Sequence, residues 1–127
     1  MQQLVYDRTK ETAGKCNADM LNRLEQWTTY LAAQLCSYGY SVTVQTRTWT
    51  RTDYPTRTEV DRIRRNVDAL QAGFYSLPDW REIVYNNTLH YSQANALEWD
   101  LYTIYVWLER MVAAFVYAGE IYAGEAW

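Results

Sequence analysis

Apolar residues recur at helical spacing in three stretches of the chain. Leu24, Trp27, Leu31, Leu35 and Tyr38 form one stripe. Val60, Ile63, Val67, Leu70 and Phe74 form a second, and Leu97, Leu101, Ile104, Leu108, Met111 and Phe115 a third. Local punctuation frames each stripe. Asn17 can cap the first helix, with Asp19 in its first turn, and Gly39 is free to take the positive φ that ends it. Pro55 keeps the preceding residue extended, and Thr56 with Glu59 forms a Thr-x-x-Glu capping box for the second. His90 or Ser92 can cap the third. The spacing predicts helices over 18–38, 57–74 and 91–117, the last stopping near Gly119. Beyond it the repeated Tyr117-Ala118-Gly119-Glu120 and Tyr122-Ala123-Gly124-Glu125 predict a compact loop or short extended tail.

Between the first two helices, Val and Thr alternate with Gln, Arg and Trp from Ser41 to Thr52. That alternation predicts a short strand or hairpin near 42–49, with a solvated loop as the alternative. The first residues are polar and without a sustained period, so 1–16 is expected to be an N-terminal arm on a single domain over 17–127. The fold class is therefore all-α: a three-helix, bundle-like domain with a polar arm and a glycine-containing tail.

One helix pattern is used twice. Asn22-Arg23-Leu24-Glu25 and Asn95-Ala96-Leu97-Glu98 superpose so that Leu31 matches Ile104 and Leu35 matches Leu108. Paired similar helices pack around a shared core. That core is predicted to contain Leu24, Leu31, Ile63, Val67, Leu70, Leu97, Ile104 and Leu108. Asn22, Asn66 and Asn95 sit inside predicted helices, where asparagine has poor propensity. This local cost points to structural amides bonded to backbone outside their own helix, pinning a loop or the arm.

Composition changes the picture in one respect. Six Trp, 12 Tyr and 2 Phe in 127 residues are more rings than a small core readily buries, which points to an aromatic contact surface. A net charge of −3 disfavours nucleic acid. Arg47, Arg51, Arg57, Arg62, Arg64 and Arg65 do cluster, but Asp53, Glu59 and Asp61 lie among them. Cys16 and Cys36, near the ends of one predicted helix, would lie about 30 Å apart and cannot bridge unless that helix is broken. The first residues lack the apolar core of a signal peptide, and Glu109 and Arg110 interrupt the longest apolar stretch, so neither a signal peptide nor a membrane span is expected.

Catalytic chemistry finds no constellation. His90 is the sole histidine and has no nominated partner. Glu25 and Glu98 lack the Glu-x-x-His spacing of a di-iron bundle, since Thr28 and Leu101 stand three residues on, and they read as polar groups on helix flanks. Neither catalytic nor metal or cofactor-binding residues are expected, and the chain is read as a non-enzyme. The third helix is apolar on both sides, however. At 100° per residue, Trp99, Tyr102, Val106 and Ala113 fall opposite its core stripe and form a candidate interface, for a symmetric homo-oligomer or another protein.

Seven pieces in order carry a family likeness: Tyr6-Asp7-Arg8-Thr9, Asn22-x-x-Glu25, Tyr38-Gly39-Tyr40, Trp49 with Asp53-Tyr54-Pro55-Thr56, Arg62-Ile63-x-x-Asn66-Val67, Ala94-Asn95-x-x-Glu98, and Tyr117-Ala118-Gly119-Glu120. Over nearly its whole length the chain resembles a small domain of structural and tail-associated proteins from phages and prophages of Gram-positive (Firmicute) bacteria. Lys10 to Cys16 is shorter than the matching family stretch, and the second Tyr-Ala-Gly-Glu extends the usual ending. The resemblance implies a virion structural protein, assembled in the bacterial host cytoplasm. It would act as a tail or baseplate-associated assembly or adaptor module through contacts with other virion proteins. A receptor- or carbohydrate-contacting module of the tail, with a host-surface glycan as partner, is the alternative class.

Overall fold

The computed structural model describes residues 3–6, 18–53, 56–74, 77–83, 85 and 91–126, the last twelve of these as helical backbone alone. Three helices make up the regular structure: α1 (Ala18–Ser37), α2 (Arg57–Gly73) and α3 (Tyr91–Ala126), each in contact with the other two. The fold is all-α. Its core holds Leu24, Leu31, Leu35, Val67, Leu70, Leu101 and Ile104 with no exposed surface. The two copies of the repeated pattern do the same work, with Leu24 and Leu97, Leu31 and Ile104, and Leu35 and Leu108 all facing this centre.

Both local signals around Gly39 and Thr56 act as caps. The Gly39 N–H donates to Cys36 O (3.1 Å) and the Tyr40 N–H to Leu35 O (3.0 Å), with Gly39 at φ 94°. This pair of bonds satisfies the last carbonyls of α1 and needs a left-handed residue. Thr56 Oγ1 accepts the Glu59 N–H at 3.3 Å, while the Glu59 carboxylate binds Arg62. Ser92 lies within the first turn of α3. Asn17, Pro55 and His90 lie outside the described residues, as does Cys16; Cys36 is a free, exposed thiol donating to Val42 O.

Two expectations are corrected. No strand forms near 42–49 among the described residues. The segment is extended, as its alternation requires, but helix side chains take its backbone groups in place of a neighbouring strand. Nor does the chain leave the helix near Gly119: α3 runs for 36 residues, about 54 Å. Gly119 and Gly124 cost only about 1 kcal/mol each relative to alanine. Continuing a nucleated helix through Ile121, Tyr122 and Ala123, with no proline in the way, tolerates that cost.

Three non-helical segments pack on the helices. Residues 3–6 lie over α3, with Leu4 buried in the core, so this part of the expected arm packs on the domain; residues 7–16 lie outside the described residues. Residues 42–49 lie over α1 and α2, anchored by buried Trp49. At its start this segment passes so close to α2 that a Cβ on Gly73 would fall 2.4 Å from Val42 Cγ2 and 3.0 Å from Ser41 O. Residues 77–83 and 85 lie over α2 and α3, anchored by buried Leu77 and Ile83.

Candidate functional site

The segment 45–49 is bound by a ladder of side chains. Asn66 accepts the Gln45 N–H (3.3 Å) and donates to Gln45 O (2.6 Å). Glu25 accepts the Arg47 N–H. Asn22 accepts the Trp49 N–H (2.6 Å) and donates to Trp49 O (2.9 Å). Every second residue is held, which is the period of an extended chain. An asparagine amide sets an N–H donor beside a carbonyl acceptor, the same pairing a neighbouring strand would present. This explains asparagine at helix-interior positions 22 and 66.

The α3 copy of the motif holds a different segment with the same chemistry. Glu98, fully buried, accepts the Val5 N–H at 3.2 Å. Asn95 is buried as well. Each glutamate is matched by an arginine from another helix. Arg62 of α2 reaches Glu25 at 2.8 Å, and Arg23 of α1 grips both oxygens of Glu98. The two glutamates, expected on helix flanks, are instead 4% and 0% exposed. Their arginine partners lie 37 and 75 residues away, beyond any local sequence signal.

Asp100 secures the third segment. Its Oδ1 accepts the Arg81 N–H at 2.9 Å, while its Oδ2 has no hydrogen-bond partner among the described residues. Burial, helped by the nearby Asp68 carboxylate, pushes its pKa up to about 8, against the stabilising Arg81 N–H. The Asp68 carboxylate accepts the Tyr85 hydroxyl, and burial together with that carboxylate raises the phenol above its ordinary range.

These clamps shape one concave surface. Trp99, Tyr102, Val106, Trp107 and Arg110 project from one side of α3, and Pro78 and Asp79 close the other wall, giving a cleft of about 250 Å³. Asp79 adopts φ 60°, and its carbonyl accepts the Trp99 indole N–H at 2.8 Å, fixing loop to helix. Tyr6 stacks on Tyr102 with ring centroids 5.0 Å apart and meets Trp99 edge-on at 5.1 Å. The Arg110 guanidinium lies over Trp107 (5.1 Å) and that of Arg81 over Trp99 (4.7 Å).

Three of the four interface residues expected from the sequence, Trp99, Tyr102 and Val106, thus share the cleft. All three are half-buried, because residues 3–6 and 77–83 cover part of a face that three helices alone would leave open. Ala113 is exposed farther along α3, outside the cleft lining. Trp107, Arg110 and Asp79 were not singled out from sequence. Arg110 follows Trp99 by eleven positions, three helical turns, and could have been found on that spacing.

Among the described residues no group of three His, Cys, Asp or Glu could hold a metal ion, and no helix is long and apolar enough to cross a membrane. The chain matches no family model, no curated protein and no solved structure.

Proposed function

We propose that the protein is a structural component of a phage virion, an assembly or adaptor module of the tail or baseplate that works through protein–protein contacts. The observation that carries this is the aromatic cleft on α3. It places two indoles, a phenol and a valine at the surface, flanked by Asp79 and Arg110. Tyr, Trp and Arg are the residues that dominate contact energies at protein interfaces. The ordered pieces behind the phage resemblance fit the same reading. Asn22, Glu25, Trp49, Arg62, Asn66 and Glu98 belong to the clamps that set the shape of the domain. Such residues build a scaffold for presenting a surface, and none of them is assigned a catalytic role.

A carbohydrate ligand is the weaker reading, because each indole already has a guanidinium over one face, where a sugar ring would stack. The test is to purify particles from a bacterium carrying the gene and locate the protein by mass spectrometry and immunogold labelling. It is expected in the tail at a fixed copy number, and its deletion should give particles with incomplete tails. Intact, infective particles lacking the protein would contradict the proposal.

A further inference from the structure

The cleft carries opposite charges at its two ends. Asp79 lies at the level of Trp99, and Arg110 follows eleven residues along α3, about 16 Å away. Both are exposed, and among the described residues neither makes an ion pair, so both charges are free to meet a partner. Arg81, the other cation nearby, does not line the cleft: its guanidinium lies over Trp99 and donates to Tyr6 O at 3.4 Å. Between the two charges lie Tyr102, Val106 and Trp107, half-buried and apolar.

We infer that this face binds a second copy of the same chain as a two-fold symmetric pair. The inference rests on the assembly reading above and names the partner. In a two-fold contact each surface meets its own inverted image, so residue i touches j and j touches i. An axis passing near Val106 brings Asp79 of each copy to the partner's Arg110, twice over. The same operation lays the two aromatic faces together and excludes water from the ion pairs. A surface with an anion at one end, a cation at the other and rings between is complementary to itself. A foreign partner would need to reproduce that pattern independently.

Charge exchange tests this directly. Sedimentation velocity of the full chain over a wide concentration range should show a concentration-dependent two-chain species. Asp79→Arg faces each new arginine with the partner's Arg110, and Arg110→Asp faces each new aspartate with the partner's Asp79. Each variant alone should bind itself at least about tenfold more weakly, with unchanged helical circular dichroism, while Arg110→Lys keeps the pair. Mixed in equal amounts, Asp79→Arg and Arg110→Asp should recover the two-chain species, seen by native mass spectrometry as one of each. That recovery cannot come from misfolded chains. A wild type that stays a single chain overturns the inference, as does a mixture that fails to pair or a glycan or foreign protein bound in place of a second copy. A single-chain protein still found in the tail would defeat self-association and leave the assembly role standing.

Discussion

Replacing Glu98 by leucine is expected to cost about 3–5 kcal/mol of folding free energy, read from urea unfolding. Glu98 is fully buried, and its partners include the Val5 N–H and the Arg23 guanidinium. Its loss strands a backbone donor and leaves Arg23, only 13% exposed, as a charge without its counter-ion. Removing one member of a buried pair costs more than removing both. Arg23→Met combined with Glu98→Leu should therefore be more stable than Glu98→Leu alone, by at least about 1 kcal/mol. A single-variant loss below 1 kcal/mol would mean that the clamp on residues 3–6 contributes little.

Asp100 gives the second large effect, with the opposite direction. Its carboxyl titrates at about 8 in the folded chain against 3.8 for the ordinary group. A raised folded-state value means that the protonated form favours folding. That contribution is complete below pH 3.8 and is lost progressively as pH rises to about 8. Asparagine cannot ionise and keeps an oxygen for the Arg81 N–H. Relative to wild type, Asp100→Asn should gain about 3–5 kcal/mol between pH 4 and pH 8. Taking the difference between two pH values cancels any fixed cost of burying the new amide. A stability difference that is flat across this window would show that Asp100 is already ionised near its ordinary value.

The helices were legible because each rests on signals within a few residues: a stripe at 3.6 spacing, the Thr56 cap, the Gly39 stop. The core followed, since Leu24, Ile63, Val67 and Ile104 needed only the right face. Asn22 and Asn66 were visible as misfits, residues whose local cost demanded a distant return. What the sequence hides is the identity of that return. The alternation in 42–49 specifies an extended chain but is silent on whether another strand or a row of helix side chains completes it. Asp79 is hidden for a similar reason, because its place in the cleft depends on a left-handed backbone and a bond from Trp99, twenty residues on. The end of α3 was misjudged because glycine was weighed as a stop signal without counting the helix already nucleated before it.

Helix side chains, in place of a second strand, hold residues 45–49. Amide hydrogen exchange resolved to single residues tests it. Gln45, Arg47 and Trp49 donate to Asn66, Glu25 and Asn22, whereas among the described residues the Thr46 and Thr48 amides donate to none. Gln45 and Arg47 are as exposed at the surface as the two threonines, so burial alone predicts no alternation. Slow exchange at 45, 47 and 49 with fast exchange at 46 and 48, and loss of protection at 49 in Asn22→Ala, is the expected result. Equal exchange at all five amides would contradict it.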